Sequence, residues 1–389
     1  MLAVALSLLP SSRVAPARSG GNTAQRSLTA GDARIGRTAS AMAAHAPRTT
    51  LEWLRRKPAV RAVSLGRDGR TLDVLFRDHA ELVILPPESH WQRPRPEIVY
   101  QQSVKQFADG PPAGRALVLE PFSQLLGHEA SYGAAEAGTL SQAGFRVDVL
   151  RNQQVTVASL EKMAAYSVVY VETHSNVLDN GDVVIASGET DARAYPSLFE
   201  DGSITQVTVA GDPHKSLYLA IKTRFIEHHV GTFPDSSLLF INGCAVTNAP
   251  KFWSALQSHN VDTLTGWNNE VIAIDDETAS TYVLQHLASG QTVAAAVAAA
   301  SAAGLGTSFV DGMEAELGYV GDGENSLARA LVEATPTPTP TDAITATPTP
   351  VATPTPRPVK KRVKCKKHGW HVVHGKCRRC KHGRCKKHR

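Results

Sequence analysis

Long apolar runs and glycine-rich phosphate loops are both missing from most of this sequence. After the first residues, no stretch approaches the roughly 18 apolar residues that a transmembrane helix needs. The alanine-rich stretch at 292–303 is too short for a span and indicates a buried helix. Gly304 and Gly306 precede no phosphate-binding strand–helix unit. We therefore expect neither a membrane span in the body of the chain nor a nucleotide cofactor.

Acidic residues are missing from the C-terminal tail, and cysteines are almost missing from the rest of the chain. Residues 359–389 carry 14 Lys and Arg and no acid, which leaves 27 basic and 36 acidic side chains elsewhere. The body therefore has a net charge of −9, although the whole chain has +5. Its one cysteine is Cys244. A lone cysteine is more often a small buried apolar residue than a nucleophile, so its surroundings must decide its role.

Residues 1–50 are predicted to contain a signal segment and a disordered N-terminus. The run MLAVALSLLP has the length of the apolar part of a signal peptide, and Ala15-Pro16-Ala17 resembles a cleavage site. No positive residue precedes the run, so a chance apolar run in a cytoplasmic protein is the other interpretation. Residues 18–50 are rich in Gly, Ala, Ser, Thr and Arg without periodicity, which predicts disorder.

Residues 51–110 are predicted to form a small β region that could act as a prodomain. Three short apolar runs lie within residues 59–86. Turns are expected between them at Arg67-Asp68-Gly69 and at Arg77-Asp78-His79. A proline-rich connector then leads into the next region.

Residues 111–330 have the alternating pattern of an α/β domain. The segments ALVLEP, FRVDVL and SVVYVE are typical of buried strands, with helices predicted between them. This rhythm predicts a mainly parallel sheet with right-handed crossovers. Between residues 176 and 235 it is interrupted by two predicted strands and by LYLAIKTRFIEHH, which we interpret as a helix. The rhythm resumes with SLLFING, a helix, VDTLTGW and two further helices.

Two C-terminal segments have compositions that build no core. Residues 331–358 form a Thr/Pro-rich linker, for which an extended, disordered spacer is expected. The basic tail at 359–389 adds five histidines to four cysteines, which are Cys365, Cys377, Cys380 and Cys385. These residues could bind zinc or form two disulfides, and their spacing leaves both open.

The dense positive charge of this tail predicts binding to polyanions. After a Thr/Pro spacer, an acidic cell-wall polymer or a membrane surface is favoured over nucleic acid. The same arrangement favours a secreted or cell-surface protein over a cytoplasmic one.

Two of the predicted strands end beside residues that can do chemistry. SVVYVE leads to His174 and Ser175, and SLLFIN ends at Asn242 before Gly243 and Cys244. Parallel neighbours lie about 5 Å apart, and their carboxyl ends meet at one edge of a sheet. A histidine there could take the thiol proton of a cysteine, and backbone N–H groups could stabilise the oxyanion that forms. The sequence thus predicts a His–Cys nucleophile site, in which Gly243 permits close approach of the backbone.

Over about residues 115–303 the sequence resembles the caspase-like cysteine peptidases, a group that includes gingipains, clostripain, separase and bacterial CHAT-domain proteases. Four pieces carry the resemblance: ALVLEP with the Gly-Ala-Ala-Glu helix after it, YSVVYVETHS, LLFINGC, and TLTGWNNEV with an alanine-rich helix pair. In that group the catalytic His closes the third core strand and the catalytic Cys closes the fourth. The resemblance implies a three-layer α/β sandwich with a mainly parallel sheet and the activity of a bacterial-type cysteine endopeptidase.

On this resemblance, His174 would be the general base and Cys244 the nucleophile, and catalysis would need no cofactor. The N–H groups of Cys244 and Ser175 would form the oxyanion hole. The chain departs from the family where Ser175 replaces the usual glycine and where Asn242-Gly243 replaces a commoner pair of small residues. The alternative is a catalytically inactive homologue that acts as a surface binding protein through its polyanion- or zinc-binding tail.

The substrate pocket is less well defined by the sequence. Several relatives recognise a basic residue of the substrate through an acidic side chain two positions before the cysteine. This chain has the neutral Asn242 at that position. The further candidates are Glu129 after the first core strand, Glu172, Trp267 at the end of VDTLTGW, and Asp275 or Asp276 after that strand. A solvated carboxylate and a core aromatic are the competing interpretations. We therefore predict peptide or protein substrates without naming the residue that precedes the scissile bond.

Overall fold

The computed structural model describes residues 24–87, 114–123 and 132–333, together with the backbone of three short tail segments. One compact unit ends at Thr337, and the rest of the chain forms a second. Within the described residues, no helix combines the length and apolarity that a membrane span requires. The predicted signal segment, the proline-rich connector, Glu129 and Cys365 lie outside the described residues. Of the predicted Thr/Pro linker, residues 331–333 are the end of a helix and the rest also lies outside.

The prediction of disorder for residues 18–50 is wrong for their second half. Two helices begin there, α1 (Ala30–Ala43) and α2 (Pro47–Arg55). Thr29 and Asp32 form a capping box at the start of α1. The buried face of α1 consists of small residues, and a Cβ at Gly36 would collide with the side chain of Leu82. Close packing through glycine and alanine needs no large apolar residue, which is why the sequence shows no helical periodicity.

The three strands expected within residues 59–86 are confirmed. They are β1 (Val60–Leu65), β2 (Leu72–Phe76) and β3 (Glu81–Leu85), joined as antiparallel neighbours. Gly69 and His79 take positive φ angles of 67° and 72° in the two turns. Glycine adopts this conformation freely, and histidine is among the residues that tolerate it.

The strand–helix rhythm expected from residue 115 is confirmed as well. The elements are β4 (Gly114–Glu120), α3 (Tyr132–Gln142), β5 (Phe145–Arg151), α4 (Val157–Glu161) and β6 (Val168–Glu172). Gly144 turns the chain after α3 with a φ of 105°, and Thr156 caps α4 through its side chain.

The interruption after β6 contains more strand than predicted. Its elements are β7 (Ser175–Val177), β8 (Val183–Ala186), α5 (Pro196–Glu200), β9 (Ile204–Val209), β10 (Tyr218–Lys222) and α6 (Thr223–His229). The helix predicted for LYLAIKTRFIEHH is therefore wrong in its first half. That half pairs with β9 on one side and β8 on the other, and this pairing overrides its helical pattern.

The remaining elements of the first unit complete the α/β pattern and add a hairpin that was not predicted. They are β11 (Ser237–Asn242), α7 (Pro250–Ser258), β12 (Val261–Trp267), α8 (Ala273–Ala288), α9 (Val293–Ala302), β13 (Thr307–Val310), β14 (Met313–Gly321) and α10 (Leu327–Glu333). The hairpin is β13–β14, and β14 pairs with β12. The second unit contains three antiparallel strands, β15 (Trp370–Val373), β16 (Lys376–Lys381) and β17 (Arg384–Cys385).

Two seven-stranded sheets organise the first unit. The central sheet has the order β13-β14-β12-β11-β6-β4-β5, in which the five strands from β12 to β5 are parallel. The second sheet has the order β1-β2-β3-β9-β10-β8-β7 and is antiparallel except where β3 meets β9. The N-terminal β strands therefore continue by hydrogen bonding into the strands that interrupt the α/β rhythm.

Both faces of the central sheet are buried, which produces a three-layer α/β fold. On one face Tyr170 and Phe240 pack against α3, α8, α9 and α10. On the other face Val169 and Ile241 pack against α6, α7 and the strands β8 to β10 of the second sheet. Because strands buried on both sides carry apolar residues at nearly every position, these strands were readable in the sequence.

Candidate functional site

The strands β6 and β11 are parallel neighbours in the centre of the sheet. Glu172 lies opposite Asn242 in the last pair of their ladder, and the N–H of Thr173 donates to the carbonyl of Asn242 at 2.8 Å. His174 and Cys244 each lie two residues beyond that pair, and both line one pocket at the carboxyl edge. The structure thus brings together the two residues that the sequence predicted would meet.

Close backbone packing fixes the turn that carries the cysteine. A Cβ at Gly243 would collide with the hydroxyl of Ser175, and that hydroxyl donates to the carbonyl of Cys244 at 2.9 Å. Ala245 then takes a left-handed φ of 64° and donates its N–H to the carbonyl of Asn269 at 3.0 Å. A non-glycine residue in this region costs about 1–2 kcal/mol, so the surrounding hydrogen bonds must hold the turn.

The backbone of Ser175 is positioned by the ladder between β7 and β8. The N–H of Ala186 donates to the carbonyl of His174 at 2.9 Å, and Ser175 lies opposite Ile185 in the next pair. Hydrogen-bonded and non-hydrogen-bonded pairs alternate in an antiparallel ladder. Ser175 therefore occupies a non-hydrogen-bonded position, and its N–H faces away from β8.

His174 lies in an apolar setting. Its side chain is buried, and its ring meets that of Phe122 edge to face with 4.6 Å between centroids. Burial lowers the pKa of His174 to about 4, against the charge of Asp212, which acts to raise it. The imidazole is consequently neutral at neutral pH, and it is a weaker proton acceptor than an exposed histidine.

Polar and apolar residues together line the pocket, which has a cavity volume of about 30 Å³. Its lining residues are Glu172, Thr173, His174, Asn242, Gly243, Cys244, Val271, Ala273 and Asp276.

Asn242 is 1% exposed and donates its Nδ2–H to the hydroxyl of Tyr170 at 2.5 Å. Its Oδ1 has no hydrogen-bond partner among the described residues. Tyr170 in turn lies 3.1 Å from the hydroxyl of Ser280. This chain of contacts ties the pocket wall to α8.

Five buried carboxyl groups lie at the same edge of the sheet. This buried acid group consists of Glu120, Glu136, Glu172, Asp276 and Glu277. Desolvation raises the pKa of Glu136 to about 8, and it raises the pKa of Glu172 well above the usual range with the help of the other four carboxyls. The pKa of Glu120 is also raised by burial, although Arg151 at 2.8 Å opposes the shift. Two members, Glu172 and Asp276, line the pocket.

The other predicted residues that the structure describes do not line the pocket. Trp267 is fully buried in the core and donates its indole N–H to Asp276 at 2.6 Å, so it supports a lining residue and is not itself in the lining. In the tail, Cys380 lies opposite Cys385 in the β16–β17 register, whereas Cys377 lies opposite Val372. The side chains of these cysteines lie outside the described residues.

Phe122 and Asp212 contribute to the site without having been predicted as contributors. Asp212 follows strand β9, so the same strand-end rule that found the histidine would have marked it. Phe122 follows β4 in the same way. Of the two aspartates predicted as candidates in the first turn of α8, Asp276 lines the pocket and Asp275 does not.

Among the side chains that the structure describes, no group of three or more His, Cys, Asp or Glu residues is arranged to hold a metal ion. Cys244 is half-buried and forms no disulfide with the described residues.

No protein-family model matches the chain, and no curated protein matches it significantly.

Proposed function

We propose that this protein is a cysteine endopeptidase in which His174 and Cys244 form the catalytic dyad. One observation carries the proposal: the third and fourth strands of the central sheet in chain order are adjacent and parallel, and His174 and Cys244 follow their ends into one pocket. Two such groups at the carboxyl edge of a parallel sheet are the parts that nucleophilic attack on a peptide carbonyl requires.

The proposed mechanism begins from a neutral imidazole, because burial holds the pKa of His174 at about 4. His174 accepts the thiol proton as the sulfur of Cys244 attacks the carbonyl carbon, and it later returns a proton to the leaving amine. Asp212 stabilises the imidazolium that exists between these steps. The N–H of Ser175, which faces away from β8, and the N–H of Cys244 are the proposed donors to the oxyanion.

We further propose that the fold is caspase-like. In support, the first strand of the central sheet lies between the second and the third, and the fourth, fifth and a final antiparallel strand follow in order on the far side. The histidine then closes the third strand and the cysteine the fourth, as in the family that the sequence resembles.

Replacing the nucleophile tests the activity directly. Wild type is expected to cleave members of a quenched-fluorescent peptide library, and Cys244→Ala is expected to lose about a thousandfold or more in rate. Cys377→Ala, in the separate tail unit, is the matched cysteine control and should retain full activity. Equal cleavage by wild type and Cys244→Ala would exclude this dyad. Absence of cleavage by wild type across the library would favour the alternative, an inactive surface binding protein.

For the tail, we propose a secreted or cell-surface protein that is held on an acidic cell-wall polymer or membrane surface. Its 14 basic residues without an acid support this, because such a segment binds polyanions by releasing their counterions. Binding of this kind falls steeply as the salt concentration rises. Binding to polyphosphate, anionic vesicles and duplex DNA should be compared for the full chain and for a variant ending at residue 358. Zinc analysis and free-thiol counting on the purified protein would distinguish metal binding from disulfides at Cys365, Cys377, Cys380 and Cys385.

A further inference from the structure

The turn between β1 and β2 reaches the candidate site, although it lies about 100 residues before it in the sequence. Within this turn, Asp68 accepts from the N–H groups of Arg70 and Thr71, each at 3.0 Å, and from the hydroxyl of Thr71 at 2.6 Å. These bonds give the turn a defined shape of its own. From it, two sets of contacts extend to the peptide unit that joins Cys244 to Ala245.

The first set of contacts runs to the histidine strand. The amide of Asn176 donates to the carboxylate of Asp68 at 2.8 Å and to the hydroxyl of Thr71 at 2.7 Å. Asn176 and Thr71 are 4% and 1% exposed, so these bonds are shielded from water. The neighbour of Asn176 is Ser175, whose hydroxyl donates to the carbonyl of Cys244 at 2.9 Å.

The second set of contacts runs to the loop after β12. The guanidinium of Arg70 lies 2.8 Å from Glu270 and 3.1 Å from Asp311, and the side chain of Glu270 is only 4% exposed. The neighbour of Glu270 is Asn269, whose carbonyl accepts the N–H of Ala245 at 3.0 Å. This bond supports the left-handed conformation immediately after the cysteine.

We propose that Arg70 and Thr71 are positioning residues for Cys244. The turn that carries them contacts both the segment at 175–176 and the segment at 269–270. The first of these segments hydrogen-bonds the carbonyl of Cys244, and the second hydrogen-bonds the N–H of Ala245. Because the left-handed turn is strained, loss of either set of contacts lets the thiol move away from the imidazole. The N-terminal β region then has a permanent role in the finished site, in place of the removable prodomain that its sequence suggested.

The test measures the chemistry of Cys244 without requiring a substrate, although the proposal rests on the catalytic role proposed for this residue. Iodoacetamide alkylation of the full chain is followed by mass spectrometry of the peptide that contains Cys244, between pH 5 and 9, with added glutathione as the reference thiol. Arg70→Met is expected to slow alkylation of Cys244 near neutral pH about tenfold, because a misplaced thiol loses its proton acceptor. Its rate should then follow the pH profile of an ordinary thiol.

Three variants make the outcome decisive. Arg67→Met, an exposed residue of the same turn, is the matched control and should behave as wild type. Arg70→Lys keeps a positive charge beside Glu270 and should recover much of the wild-type rate. Thr71→Val removes the hydroxyl without changing shape, so it tests the other set of contacts if Arg70→Met does not fold.

An alkylation profile of Arg70→Met and Thr71→Val that matches Arg67→Met would overturn the positioning role. The outcome does not depend on peptidase activity: a wild type that cleaves nothing, combined with a slowed Arg70→Met thiol, would reject the proposed function and keep the positioning role.

Discussion

Two groups of buried charged side chains in this protein are neutralised in opposite ways. In the second sheet, Lys222 lies 3.1 Å from Glu81 and 3.6 Å from Asp182, and its own side chain is 10% exposed. Burial alone would lower the pKa of Lys222, but these acids more than offset the effect and leave its pKa above the usual value. Charge there is met by opposite charge.

At the edge of the central sheet, Glu136 and Glu172 are neutralised by protons instead. The neighbours that act on Glu172 are Glu277, Asp276, Glu120 and Glu136, all of them acids, and its pKa is raised far above normal. An ion pair remains charged over the whole neutral range, whereas a carboxyl with a pKa of about 8 changes charge within it. Shifted carboxyl groups next to a pocket are also the pattern found at functional sites. The comparison therefore separates a group that stabilises the fold from one that makes the site sensitive to pH.

The largest effect is expected from breaking the ion pairs of Lys222. In Lys222→Met, Glu81 and Asp182 stay largely buried without their cation, and removal of one partner from such a pair costs about 3–5 kcal/mol. Urea unfolding at pH 7 measures the loss. Lys251→Met, which replaces an exposed lysine on α7, is the control and should change stability little. If the free energy of unfolding fell no more than in the control, the ion pairs of Lys222 would not stabilise the fold.

A smaller effect of opposite sign is expected when a carboxyl of the buried acid group is removed. Glu136 is 1% exposed and accepts a hydrogen bond from Thr281 at 2.6 Å, which a glutamine can also accept. Since its folded pKa is raised from 4.5 to about 8, wild type is most stable below the lower value. It loses stability as the pH rises towards the upper one, by at most about 1.4 kcal/mol per pH unit.

Glu136→Gln should therefore be more stable than wild type at pH 8 and similar to it at pH 4, as measured by urea unfolding at both. The exposed Glu161→Gln is the control and should show no such dependence on pH. If Glu136→Gln were less stable than wild type at pH 8, the carboxyl would be ionised and favourably paired there. The contrast between the two groups would then disappear.

The sequence was most informative where strands are buried on both faces. The runs before His174 and Cys244 were identified because every position in β6 and β11 is buried, which leaves a continuous apolar signal. Helix α1 was missed because small residues mediate its packing, and the first half of LYLAIKTRFIEHH was misassigned because its strand pairing comes from distant segments.

The contacts that shape the site were not predictable in the same way. Asn176 and Asp68 are 108 residues apart, and no local pattern connects them. The pKa of His174 likewise depends on burial and on Asp212, which follows a strand of the other sheet. Sequence periodicity reports which face of a strand is apolar, but it carries no information about which loop packs against its end.

The smallest expected effect concerns the charge that acts on His174. Asp212 raises the pKa of the imidazole against the larger effect of burial, so Asp212→Asn should lower this pKa modestly below its value of about 4. Histidine-selective carbon-13 NMR titration measures this directly, with the His174 signal assigned by its loss in His174→Gln. Asp201→Asn, which removes the carboxylate 3.0 Å from His229, is the control and should leave the His174 titration unchanged. If Asp212→Asn raised the pKa of His174, the aspartate would be acting through the turn it caps at His214 and Ser216. The histidine would then be governed by packing alone, and the proposed imidazolium would lack its nearest stabilising charge.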